Sequence, residues 1–162
     1  MAAGRTRKSG KASGAIRIEF PPGESAGYLV RDAHRAFQRS LERRIARYGV
    51  TRGQWYFLRV LWEQDGISQR ELSARVGVME PTIAITLRGM ERAGLIRRVR
   101  SSSDKRRAEV WLTAKAKRLR EKLLQLARTI TEEARTGISL AEYEHFRSVI
   151  TRMTTNLDGR RD

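Results

Sequence analysis

Apolar residues recur at three- and four-residue steps through most of the chain, the spacing that gathers them on one face of an α-helix. Val30, His34, Phe37, Leu41, Ile45 and Tyr48 form the first such stripe and predict a helix from about Gly27 to Tyr48, stopped by Gly49. Thr51-Arg52-Gly53-Gln54 then has the form of a capping box, in which the Thr hydroxyl and the Gln amide satisfy free N–H groups at a helix start. The helix it opens carries Trp55, Phe57, Leu58, Leu61 and Trp62 and ends near Asp65-Gly66. A second box, Ser68-Gln69-Arg70-Glu71, opens a short helix with Leu72 and Val76 inward, stopped at Gly77. Pro81 suits the first turn of the next helix, where a missing N–H costs nothing. That helix buries Ile83, Leu87 and Met90 and ends at Gly94. A short helix, a tight turn containing Gly and a second helix make a helix-turn-helix.

The period then changes from helical to alternating. Ile96 to Arg100 and Arg107 to Leu112 read as two strands, with Ala108, Val110 and Leu112 alternating against Arg107, Glu109 and Trp111. The polar run Ser101 to Arg106 turns between them, so a hairpin, a wing, follows the second motif helix. Thr113 caps a long helix to about Arg135 with the stripe Leu119, Leu123, Leu126, Ala127, Ile130 and Ala134. Gly137 breaks it, and Ser139-Leu140-Ala141-Glu142 opens a last helix carrying Phe146, Val149, Ile150 and Met153. The last two stripes exceed what one small domain buries, which predicts a dimer interface there and at the start of the first helix. The expected fold is mainly α: a winged helix-turn-helix with a two-stranded β wing, between helical dimerisation regions at both ends. The expected divisions are a disordered basic tail over 1–20, an N-terminal dimerisation helix over 21–50, the DNA-binding domain over 51–113, dimerisation helices over 114–157 and a tail over 158–162.

Composition narrows the class of partner. Of 162 residues, 34 are Lys or Arg against 18 Asp or Glu, a formal net charge of +16. The isoelectric point is near 11.4 and the mean hydropathy is −0.57. Such a balance calls for a polyanion: DNA, RNA or an anionic membrane surface. The start of the chain, with Arg5, Arg7, Lys8 and Lys11 among Gly, Ala and Ser, has no periodicity and reads as an arm, either solvated or touching DNA. It lacks the apolar core of a secretory signal. No apolar run is long enough to span a bilayer, so no membrane partner is expected. Cys is absent, which removes disulfides and thiolate metal sites and accords with a cytoplasmic location. There is no Gly-rich phosphate loop and no nucleophile motif, and His34 and His145 lack ligand spacing. Neither an enzyme nor a cofactor or metal site is expected.

In this order of elements the chain resembles the MarR family of bacterial regulators. The residues that carry the resemblance are Ser68-Gln69-Arg70-Glu71-Leu72 with Ala74, Pro81-Thr82, Leu87, Met90-Glu91, Gly94-Leu95-Ile96, and Asp104-Lys105-Arg106 followed by Leu112-Thr113. It covers about Gly27 to Leu157. The resemblance implies a homodimer with intertwined terminal helices that binds a pseudo-palindromic operator in double-stranded DNA. It also implies a repressor released by a small anionic or phenolic ligand.

The second motif helix should lie in the major groove with its N-terminal half near base edges. Pro81, Thr82, Ile85, Thr86 and Arg88 are its DNA-binding candidates, with Thr82, Ile85, Thr86 and Gly89 expected to point outward. Ser68 and Gln69 are placed to meet the backbone where the first motif helix starts. The helix departs from the common family pattern: Met79, Ile85 and Gly89 stand where many members have a polar N-cap and Arg, and Glu80 adds a carboxylate. Base readout therefore leans on apolar contact and shape rather than on Arg–guanine pairs. The wing gathers Arg97, Arg98, Arg100, Lys105, Arg106 and Arg107, and of these Arg98, Lys105, Arg106 and Arg107 are the DNA candidates, with Lys105 or Arg106 at the tip in a minor groove. By resemblance, Asp104 braces a neighbouring Arg. Also by resemblance, Arg31, His34, Trp55, Tyr56 and Arg59 would line a ligand pocket suited to an aromatic carboxylate or an acyl thioester. On its own stripe, His34 reads either as a buried, hydrogen-bonded core residue or as part of a ligand site or interface. Two other functions compete: a general basic nucleic-acid binder without operator preference, supported by the tail, and a winged helix that docks on protein, which would not need the wing's cations.

Overall fold

A computed structural model describes residues 21–100 and 108–159. The tail over 1–20 and the wing turn with Asp104, Lys105, Arg106 and Arg107 lie outside the described residues. A short 3-10 turn, Pro22–Glu24, precedes helix α1, Ala26–Ile45. A second 3-10 turn, Ala46–Tyr48, then leads to Gly49. There follow α2 (Arg52–Glu63), β1 (Ile67–Ser68), α3 (Gln69–Val76), α4 (Glu80–Arg92), β2 (Ile96–Arg100), β3 (Ala108–Leu112), α5 (Ala114–Ala134) and α6 (Leu140–Asp158). The chain divides into two units at Arg35–Ala36, inside α1. In the first unit, Tyr28, Leu29, Val30 and His34 are all exposed.

The sheet has three strands in the order β1-β3-β2, both pairings antiparallel. Ile67 stands opposite Val110 and Arg98 opposite Val110 on the other side, so Val110 is fully buried at the centre. The sequence predicts two strands; β1 is too short to show an alternating pattern. Its presence also explains why only half of the expected box at Ser68 forms. Ser68 accepts from the Glu71 N–H at 3.2 Å, but its backbone belongs to the sheet, opposite Glu109, and not to a free helix start. The boxes at Thr51 and Ser139 form in both directions.

One core cluster runs from Leu41 through Phe57, Leu72, Leu87 and Val110 to Ile130. Two polar side chains organise it. Asp65 sits just past the end of α2. Its Oδ1 accepts from the Leu112 N–H at 2.7 Å and from the Gly66 N–H at 3.1 Å, while Lys117 of α5 lies 2.9 Å from Oδ2. The carboxylate thus fastens α2, the sheet and α5 together. The buried Ser73 hydroxyl donates to the Val78 carbonyl at 2.6 Å, and the N–H groups of Gly77 and Val78 return to the Ser73 carbonyl. This seals the turn between α3 and α4.

The α5 stripe does not behave as expected. Ala116, Leu123 and Ile130 are buried within the chain, so α5 is core as well as scaffold. The reason is that α5 packs on α2 and β3, which a stripe alone does not reveal. By contrast α6 buries no residue, and Leu140, Phe146 and Leu157 are exposed. No helix among the described residues is long and apolar enough to cross a membrane.

Gly66 and Gly77 both have positive φ, 75° and 74°. A Cβ on Gly77 would meet open space, whereas one on Gly66 would collide with the Trp111 ring. Gly77→Ala should therefore cost about 1–2 kcal/mol, the penalty of the left-handed conformation alone. Gly66→Ala should cost about 1–3 kcal/mol more through overpacking. Urea denaturation of the two variants checks this; equal midpoints would show that the ring yields freely.

Candidate nucleic-acid interface

Helix α4 has two sides of opposite character. Ile83, Leu87 and Met90 are fully buried, while Thr82, Ile85 and Arg88 are exposed. Exposure is 64% for Ile85 and 78% for Met79, which occupies the N-cap without a side-chain cap bond. Pro81 stands in the first turn, as its fixed φ favours. Thr86 is half-buried and its hydroxyl donates to the Thr82 carbonyl at 3.0 Å. Gly89 does not share the outward face. It is half-buried, and a Cβ there would lie 3.7 Å from the Gln54 amide of α2. At the other end, Lys115 of α5 donates to the Ala93 carbonyl at 2.8 Å, giving the helix C-terminus a cation. Ser68 and Gln69 are half-buried at the start of α3.

Strand β2 carries the cations. Arg97 and Arg100 are exposed, with the Arg97 guanidinium 6.0 Å from the Trp111 ring centre. Arg98, a DNA candidate, is gripped by Glu91 in the last turn of α4. Its Nε donates to one carboxylate oxygen at 3.0 Å and its Nη2 to the other at 2.6 Å. This two-pronged pair ties the wing strand to the helix and consumes one cation of the cluster. The hydrogen bond to Arg98 holds the Glu91 carboxyl below its ordinary value of 4.5, and the same bond raises Arg98. Sequence reading missed Glu91 because nothing in the spacing of a helix's last turn names a partner seven residues on. A glutamate followed by a basic strand was the available signal.

These features sit in a stretch that matches known proteins. The family model described as the MarR family matches residues 50–108. The transcriptional regulator HosA of Escherichia coli is 31% identical over 104 residues, 64% of this chain and 77% of its own length. The chain belongs to the MarR family. It is accordingly a DNA-binding transcriptional regulator and not an enzyme, with the winged helix-turn-helix fold. The regulator TtmR of Methylorubrum extorquens is 32% identical over 115 residues; the match covers 71% of this chain and 58%, less than two thirds, of TtmR. Among solved structures, the transcriptional repressor CouR bound to a 23-mer DNA duplex superposes with a TM-score of 0.75 at 22% identity, over 82% of this chain and 94% of its own. At that identity the likeness is one of fold.

The residues expected to line a ligand pocket are taken unit by unit. In the first, the Arg31 guanidinium lies 4.1 Å from the centre of the Tyr28 ring and also binds Asp32. His34 is exposed, which corrects the core reading. In the second unit, Trp55 is only 5% exposed and meets the edge of Trp62 at 5.9 Å, so it is largely a core residue. Arg59 lies 5.7 Å over the Trp55 ring, and the exposed Tyr56 accepts from Gln38 at 3.3 Å.

The Glu91–Arg98 pair has a pH signature. A carboxyl whose folded pKa is depressed adds stability above its unfolded value, near 4.5, and that stability is lost as pH falls through the lower folded value. Both side chains are about a third exposed, 30% and 37%, so solvent screening keeps the contribution to about 1 kcal/mol or less. Wild type should lose more stability than Glu91→Gln between pH 5 and pH 3, with the two parallel above pH 6. Parallel melting curves throughout the acid range would remove the pair from the account.

Proposed function

We propose that this regulator is a repressor that binds an inverted repeat in double-stranded DNA as a homodimer and is released by a small anionic or aromatic ligand. The observation that carries the reading is the exposed side of α4, Thr82, Ile85 and Arg88 with Met79 at its start, flanked by the exposed arginines of β2. A helix with one side locked into the core and the other offered to solvent suits insertion in a major groove. Adjacent cations suit the phosphates. Ser68 and Gln69 meet the backbone in this scheme. Lys105 or Arg106 is the proposed minor-groove residue, Arg107 a further DNA candidate and Asp104 the brace by resemblance, all four outside the described residues. CouR, solved on a DNA duplex, is a precedent for the fold on DNA.

Dimerisation is supported by exposed apolar side chains that no soluble monomer needs: Phe146 at 57% and Leu140 at 63% on α6, and Phe37 at 43% on α1. For an effector site the exposed Arg59 and Tyr56 are the side chains within reach of a ligand, with the buried Trp55 ring behind Arg59. That chemistry takes an aromatic carboxylate or its thioester.

Light scattering should give a dimer at micromolar concentration. In competition at fixed salt, a selected inverted repeat should bind roughly 10³-fold or more tighter than a scrambled duplex. Equal binding of the two would instead establish the general nucleic-acid binder, and failure to bind either would leave a protein-docking module. An aromatic acid that raises the melting temperature should also release the operator, and Arg59→Ala should blunt the release without weakening DNA binding.

A further inference from the structure

Resting on the reading that α4 enters a major groove, we propose that it chooses its site by the 5-methyl groups of thymine, with Met79 and Ile85 as the specificity-determining residues. A methyl-bearing pyrimidine is the one apolar feature a base pair shows in that groove. The two apolar side chains offered there are Met79 at 78% exposure and Ile85 at 64%, one at the N-cap and one in the second turn. The N-cap position ordinarily favours Ser, Thr, Asn or Asp, which would complete the helix start. A methionine there forgoes that bond and places a flexible, unbranched thioether at the leading end of the helix.

The usual donors are missing from the same stretch. Helix α4 contains no Asn, Gln or Lys, and its first arginine is Arg88, in the third turn. No guanidinium in the first two turns is available for a bidentate guanine contact. The hydroxyl proton of Thr86 is engaged by the Thr82 carbonyl. Thr82 remains as the exposed hydroxyl, and its own γ-methyl adds to the apolar surface. The exposed Arg88, Arg92, Arg97 and Arg100 supply charge behind this surface. Phosphate contacts of that kind fix register and affinity but carry no sequence. Charge therefore holds the duplex, and methyl contacts discriminate.

The test uses the full chain and an operator obtained by selection from random duplexes. Each thymine of the operator is replaced in turn by deoxyuridine, which removes the 5-methyl group and leaves the pairing unchanged. One or two positions in each half-site should lose about fourfold in affinity per methyl, the value of one buried apolar carbon. In Ile85→Ala or Met79→Ala the same replacement should then have no effect, because the protein side of the contact is gone. Both side chains are exposed, so the variants should melt like wild type. Strong operator preference with no uracil effect in the wild-type chain overturns the methyl readout and leaves the repressor reading intact. A uracil effect that persists equally in both variants also overturns it, since groove shape would then be the cause. Failure of the selection to enrich any sequence overturns both, and shows itself before a single thymine is replaced.

Discussion

Asp65 is the constraint on which the winged domain depends. A wing is only a hairpin, and a hairpin alone is marginal in water. Here the Asp65 carboxylate receives the Leu112 N–H from β3 and the Gly66 N–H before β1, and it faces Lys117 at the start of α5. The bends on either side of the sheet are thereby referred to one atom group at the end of α2. Trp111 then lies over Gly66, where no other residue would leave room for its ring. Thr113 adds a second tie, donating its hydroxyl to the Gly94 carbonyl at 2.7 Å. The orientation of the wing strands against α4 follows from these links and from the Glu91–Arg98 pair.

Helices and their limits were legible in the sequence because each carries its own signal: an apolar stripe, a cap, a glycine. Thr51 with Gln54 and Ser139 with Glu142 form as their spacing requires, and α4 buries Ile83, Leu87 and Met90 as read. What was not legible depends on partners distant along the chain. Asp65 looks like a helix-ending residue, yet its role comes from a backbone N–H forty-seven positions later. Strand β1 has two residues and exists only because β3 is there to pair with it. Gly89 sits on the outward arc of an isolated helix and is claimed by Gln54 once α2 packs. The cations of the wing were countable, but which of them Glu91 would neutralise was not.

The basic character of the chain is thus unevenly useful. Arg98 is a structural cation, Lys115 caps α4, Lys117 serves Asp65, and Arg44 reaches Glu133 of α5 at 2.6 Å. The formal charge of +16 already subtracts the acidic partners of these cations, so the pairs decide where the remaining charge stands and not how much of it there is. The cations that remain outward on β2 and late α4 stand beside an apolar leading end of the reading helix. On the proposed major-groove reading, strength of binding and choice of sequence would fall to different side chains.

The latch at Ser73 has a bearing on how such a protein changes over generations. The Ser73 hydroxyl and the returning N–H groups of Gly77 and Val78 set the angle between α3 and α4 from inside the turn, without using any outward side chain of α4. Substitutions at Met79, Thr82 or Ile85 can therefore drift without tilting the helix that carries them. A duplicated copy of the gene could acquire a new operator through a few exposed residues while inheriting its docking pose unaltered. Loss of Ser73, by contrast, would shift every exposed residue of α4 together, and selection should tolerate it least of all.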